Sequence, residues 1–167
     1  MKYDSITQKG ATLVLQCATR NPFRIAKQLG IHVLYRSNFG QLKGMYKVIL
    51  RNRFIFINSN LPEQMQKIVC AHELGHDQLH RNLAETGCFE FVLYDMDTRP
   101  EYEANIFAAE LLLPEQEVLE YIECGYDTEQ IARRMNTDIN LVSLKISYLI
   151  QQGYSFRQVE HKSNFLK

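Results

Sequence analysis

The sequence predicts an α+β domain, a small antiparallel-containing sheet packed with helices. Three observations carry that prediction. Short apolar runs bounded by turn residues recur between positions 31 and 57. Apolar residues at spacings of three and four dominate the stretches that follow. The 46% hydrophobic content of these 167 residues suits one globular unit, which would bury roughly 70% of its unfolded surface.

The elements follow in chain order. A first helix is expected over 5–19, carrying Ile6, Leu13, Val14 and Cys17, and a second over 22–29, stopped by Gly30. Ile31-His32-Val33-Leu34-Tyr35 reads as a strand. Residues 45–50 and 54–57, joined around Arg51-Asn52, read as a hairpin. Asn60-Leu61-Pro62-Glu63 then opens a helix, with Asn60 as cap, Pro62 in the first turn and Glu63 completing a capping box. Its body places Leu61, Met65, Ile68, His72, Gly75, His76 and Leu79 on one face. Phe89 to Tyr94 is a further short strand, inside a stretch, 81–97, that otherwise lacks a period. Thr98 with Glu101 three residues later reads as a second capping box, opening a helix over 100–113 that stops at Pro114. Helices over 127–135 and 140–151 complete the chain. The expected organisation is a core of residues 1–114 with a helical region, 115–167, packed on it.

Within the central helix, His72-Glu73-Leu74-Gly75-His76 has the H-E-x-x-H spacing of a zinc hydrolase. Residues four apart stack on a helix, so both imidazoles can hold one ion. Glu73 projects about 100° from His72 and so stands beside the ion, placed to take a proton from water. Two imidazoles and a carboxylate on a core-facing stripe would otherwise be costly to bury. The lack of a side chain at Gly75 would let another element approach closely.

A catalytic zinc keeps one position open and takes three protein ligands. His80 continues the row of histidines, but lies about 80° round from His72 and roughly 12 Å along the axis, too far for one ion. A ligand from the second capped helix is the better candidate. That helix is apolar almost all round, and its carboxylates need partners. Glu103 is flanked by Tyr102 and Ala104 and is a candidate ligand; equally, Glu101, Glu103 and Glu110 can be solvated edges.

Taken together, H-E-L-G-H followed by Leu79-His80, and the later run Glu103-Ala104-Asn105-Ile106-Phe107-Ala108-Ala109-Glu110-Leu111-Leu112-Leu113-Pro114, resemble the ImmA/IrrE family of metallopeptidases. The resemblance runs from about Ile25 to Pro114 and weakens in the C-terminal helices. It implies a zincin-like H-E-x-x-H helix, with His72, His76 and Glu103 as zinc ligands and Glu73 as general base. His80, Tyr94, Tyr102 and Asn105 are candidates to support the ligands or donate to the oxyanion. The implied activity is endopeptidase cleavage of a cognate helix-turn-helix repressor, relieving repression at a prophage, an integrative element or a stress regulon. Two imidazoles and a carboxylate accept Mn²⁺ as well as Zn²⁺.

Composition sets further expectations. Lys plus Arg and Asp plus Glu both number 19, so no overall field favours nucleic acid or an anionic membrane. No apolar run approaches a membrane span, and the first residues lack a signal-peptide core, so a cytoplasmic protein is expected. Cys17, Cys70, Cys88 and Cys124 lack C-x-x-C spacing and read as free thiols. A peptide substrate is expected to lie extended along an edge of the hairpin, on strand 45–50 or 54–57. The alternative function is a metal-stabilised DNA-binding or adaptor protein. Residues 127–151 have a helix-turn-helix outline, with Arg133, Arg134 and Lys145 near it. The mostly apolar second helix favours packing on the core instead.

Overall fold

The computed structural model describes residues 3–84, 89–91 and 98–156. Its elements run α1 (Tyr3–Cys17), α2 (Pro22–Gln28), β1 (His32–Arg36), β2 (Gly44–Ile49), β3 (Asn52–Asn58), α3 (Glu63–Leu79), α4 (Arg81–Ala84), β4 (Phe89–Phe91), α5 (Arg99–Leu112), α6 (Glu115–Glu123), α7 (Thr128–Arg134) and α8 (Ile139–Gln151). The α+β class expected from the sequence holds. The strands form one mixed sheet in the order β1-β3-β2-β4, with β1 parallel to β3 and the other pairs antiparallel. Helix α3 packs on β2 and β3, α5 packs on α3, and α1 and α8 pack on α5. Tyr46, Ile55 and Ile57 from the sheet share one apolar core with Val69 and Leu74 of α3 and Phe107 and Leu111 of α5.

Local chemistry explains most boundaries. Asn21 Oδ1 accepts from the backbone N–H groups of Phe23 and Arg24, Pro22 opens α2, and Gly30 leaves it at φ +69°. The hairpin turn is Leu50-Arg51, one position before the expected Arg51-Asn52. Both turn residues are left-handed, at φ +48° and +65°, as a two-residue hairpin requires.

Helix α3 starts differently from expectation. Its cap position is Pro62, and no side chain bonds there. Asn60 is spent on the strand layer instead: its Nδ2 donates to the Ser37 carbonyl, and its backbone N–H donates to Asn58 Oδ1. The expected capping box with Glu63 therefore does not form. Nor does the Thr98–Glu101 box form at α5, where Thr98 makes no side-chain cap bond. Two helices lay outside expectation, α4 and α6; Pro114 ends α5 and stands at the cap position of α6. Of the strand expected over 89–94, residues 89–91 form β4, and the rest lies outside the described residues.

The sheet order also revises where an extended peptide can dock. Strand β3 is flanked by β1 and β2 along its length. Strand β2 is covered by β4 at Gly44–Tyr46, so of the two hairpin strands only Lys47–Ile49 of β2 keep an unpaired edge among the described residues.

The C-terminal helices turn their apolar sides inward, burying Ile131, Leu141, Val142 and Leu149. Lys145 is buried, its Nζ 2.6 Å from Glu110 Oε2 on α5 and 3.4 Å from Glu115 Oε2. Arg133 pairs with Glu129, and Arg134 lies over the Tyr126 ring. Buried and paired in this way, Lys145 is not placed to contact a phosphate backbone. Among the described residues no helix is long and apolar enough to cross a membrane.

The α3–α5 contact is tightest at Gly75, where an added Cβ would lie 3.0 Å from Ala104 Cα and 3.1 Å from its carbonyl oxygen. Replacing Gly75 by Ala improves helix propensity by about 1 kcal/mol. Overpacking against a backbone that cannot rotate away costs about 1–3 kcal/mol. Gly75→Ala is therefore expected to lower the thermal midpoint. An unchanged or raised midpoint would show that α5 yields freely.

Candidate metal centre

The central helix brings its two histidines together one turn apart. His72 Nε2 and His76 Nε2 are 3.1 Å apart, and both rings are fully buried. The carboxylate facing them is Glu101, on the first turn of α5. Its Oε2 is 3.0 Å from His72 Nε2 and its Oε1 is 3.3 Å from His76 Nε2. Among the described residues, these three side chains each offer a ligand atom, all within 4.8 Å of one another.

The structure brings Glu101, rather than the expected Glu103, to face the histidine pair. The two residues lie about 200° apart round a helix, so only one can converge on the histidine pair. Glu103 Oε2 instead lies 3.0 Å from His80 Nε2, and its Oε1 accepts from Arg99 Nε at 2.9 Å. The signal for Glu101 was in the sequence. Glu101, Ala104, Asn105 and Ala108 share one stripe at spacings of three and four, the stripe that packs on α3.

The bonds behind the two histidines fix which nitrogen faces the centre. His72 Nδ1 lies 2.9 Å from Asn105 Oδ1, which can only accept; in the tautomer that donates there, the Nε2 lone pair faces Glu101 and is open to a cation. His76 Nδ1 is 3.2 Å from His80 Nδ1. With His80 donating from Nε2 to Glu103, its Nδ1 accepts from His76, which again frees Nε2 of His76. His80 and Asn105 thus stand directly behind His76 and His72. Glu103 acts through His80.

Burial pushes the His76 imidazole down to about 4, so the ring is neutral near pH 7. Burial alone would raise the Glu101 carboxyl; the bonds to His72 and His76 outweigh it and hold the group at about 2. Glu73 is wholly buried beside them. Burial first, and then the Glu101 charge, raise its carboxyl well above the usual range, against a weaker opposite pull from the Tyr46 backbone N–H. Neither Glu73 oxygen completes a hydrogen bond among the described residues. Strand β2 comes this close because residue 44 is glycine: a Cβ there would lie 3.0 Å from Glu73 Oε1 and 2.3 Å from Val69 Cγ1.

These residues fit a divalent cation. Two nitrogen lone pairs and a carboxylate oxygen at about 3 Å repel one another unless positive charge lies between them. A buried Glu73 without a hydrogen bond gains from the same charge.

The remaining candidates are placed as follows. Tyr102 packs edge-on to Tyr3 of α1, ring centroids 6.5 Å apart. Tyr94 and Cys88 lie outside the described residues. Cys17, Cys70 and Cys124 are free thiols; burial raises the Cys70 thiol, which argues against a thiolate ligand.

The family described as Peptidase_M78, IrrE N-terminal-like domain, matches residues 26–147. Uncharacterized immunity region protein 2 of Bacillus phage phi105 is 37% identical over 133 residues, 80% of this chain and 84% of that protein. Metallopeptidase ImmA of Bacillus subtilis (strain 168) is 33% identical over 152 residues, 86% of this chain and 85% of its own length. A Mycobacterium tuberculosis transcriptional regulator shares the fold, with a TM-score of 0.58 at 16% identity. That match covers 86% of this chain but only 47% of the regulator, so the chain spans about half its length.

The two glutamates are separable by metal titration. Glu101→Ala is expected to abolish tight binding of one divalent ion. Glu103→Ala is expected to keep the site and weaken it by roughly 10–100-fold, as loss of outer support does. Complete loss in Glu103→Ala with retention in Glu101→Ala would reverse the assignment.

Proposed function

We propose that this chain, which belongs to the ImmA/IrrE family of metallopeptidases, is a zinc-dependent endopeptidase that cleaves a cognate helix-turn-helix repressor. The observation that carries the reading is a buried histidine pair facing one carboxylate, with a buried Glu73 beside it that completes no hydrogen bond. A structural zinc would be closed by a fourth protein ligand. Among the described residues, three side chains converge.

His72, His76 and Glu101 would hold the ion. Two imidazoles and a carboxylate suit zinc and tolerate manganese. When bound, the ion supplies Lewis acidity, acidifying a water and polarising the scissile carbonyl. Glu73 takes the proton of the attacking water at its carboxylate and returns it to the leaving amine. Its buried position suits that exchange, because a carboxylate with a raised affinity for protons is a stronger base. Gly44 leaves the space in which Glu73 sits.

The repressor substrate is supported by the likeness to a phage immunity-region protein and to ImmA. We assign the protein to the control of a phage or mobile element, as an anti-repressor. The repressor encoded beside its gene is the substrate to test.

Glu73→Gln should keep its metal and lose at least about a hundredfold in cleavage rate, the usual contribution of a general base. Incubation of the wild type with that repressor should give discrete fragments that chelator abolishes and added zinc restores. Normal cleavage by Glu73→Gln would remove the residue from the role. Chelator-insensitive cleavage would remove the metal.

A further inference from the structure

The tip of the β2–β3 hairpin carries features that neither the core nor the metal centre uses. Leu50 is 90% exposed, and Ile49 beside it is 41% exposed. Leu50 and Arg51 both hold left-handed backbone conformations, which Asn-Gly would adopt with little strain. A strained turn that displays a large apolar residue to solvent gives the fold nothing in return. Beneath the tip lies a cavity of about 450 Å³ lined by Val48, Leu50, Arg51, Arg53 and Arg81.

The charge there does not balance. Asp77, wholly buried, is the carboxylate that faces both Arg53 and Arg81, each at 3.1 Å. Arg53 also donates to the Leu29 carbonyl. Arg51 makes no ion pair among the described residues, and no acidic residue lines the cavity among them. Among the described residues, Arg53 and Arg81 share one carboxylate and Arg51 meets none, leaving two positive charges beside an apolar rim. Position adds a second argument. Asp77 follows His76 directly, so Arg53 and Arg81 are anchored at the metal-binding turn of α3. The unpaired edge of β2, Lys47–Ile49, leads from the sheet straight into the cavity.

We infer that this pocket is a docking site for an acidic, apolar-containing segment of the protein substrate, whose carboxylates meet Arg51 and Arg81 while an apolar side chain covers Leu50 and Val48. The inference rests on the peptidase reading for its substrate but not for its measurement. Arginine suits the role because its planar fork meets a carboxylate with two parallel hydrogen bonds.

The probe is a fluorescein-labelled synthetic peptide of alternating Glu and Leu, with a Lys–Leu peptide as its counterpart. Both are titrated by anisotropy into the full-length, metal-free chain at low salt. Cleavage cannot occur in this assay, so failure of the peptidase reading leaves its result intact. The acidic peptide should bind and the basic one should not. Arg51→Glu should weaken binding at least about tenfold, and Leu50→Ser should weaken it measurably. Lys67→Glu, the same charge change on an exposed position of α3, should alter it less than about twofold. Amide shift changes in the wild-type chain should centre on residues 48–53 and 81, a readout that needs no variant. Equal weakening by Lys67→Glu, or shifts centred elsewhere, would overturn the pocket. Displacement by inorganic phosphate at equal concentration would reduce it to a simple anion site. Displacement by duplex DNA in preference to the peptide would make it a nucleic-acid surface.

Discussion

Where α5 crosses α3, Gly75 leaves so little room that a single methyl group would press on the Ala104 backbone. At that separation the short carboxyl side chain of Glu101 spans the gap and meets both imidazoles, and Asn105, one turn further on, reaches the back of the His72 ring. A wider spacing would leave each of those contacts unmade. The two-helix approach is thus the condition for the centre. The apolar run of α5, with Ala104 and Ala108 buried between the polar positions, permits it.

The polar residues of α3 divide into two kinds, and the division separates scaffold from chemistry. His72, Glu73, His76 and Asp77 are all buried. Asp77 is fully answered, by the Tyr46 hydroxyl at 2.8 Å and by Arg53 and Arg81. Those bonds tie the end of α3 to β2 and β3, and removing one partner from such a buried group costs far more than the pair contributes. Glu73, four residues earlier, has no comparable answer. Burial favours its uncharged form, and a buried acid without hydrogen bonds is retained at a cost in stability. The geometry supplies a reason only if positive charge enters the same space.

Much of this was legible in the sequence, because period and turn chemistry are local. The α3 stripe, the hairpin and the inward-facing C-terminal helices all follow from spacing. The misreadings share one physical source: a short polar side chain near a helix start has several uses, and sequence alone does not rank them. Thr98 with Glu101 matched a capping box, and that match hid Glu101 as the carboxylate facing the histidines. Asn60 matched a cap and proved to be a strand-layer anchor. Which edge of a hairpin stays free depends on the third and fourth strands, a non-local fact that alternation in β2 and β3 cannot report.

Glu103 faces His80 and Arg99 rather than the histidine pair, and its place explains why both carboxylates stand on one helix. A ring nitrogen can offer its lone pair to a cation only while the proton stays on the other nitrogen. For His72 the fixed acceptor is the Asn105 carbonyl oxygen. For His76 the acceptor is another imidazole, which can itself hold its proton on either side. Glu103 removes that ambiguity: by accepting from His80 Nε2 it leaves His80 Nδ1 as the acceptor for His76. Arg99 in turn donates to Glu103 from the solvent side, 73% exposed, and favours its anionic form. The line Arg99–Glu103–His80–His76 therefore sets a tautomer rather than a coordination bond. It also accounts for a third histidine one turn beyond a pair that only two histidines could form.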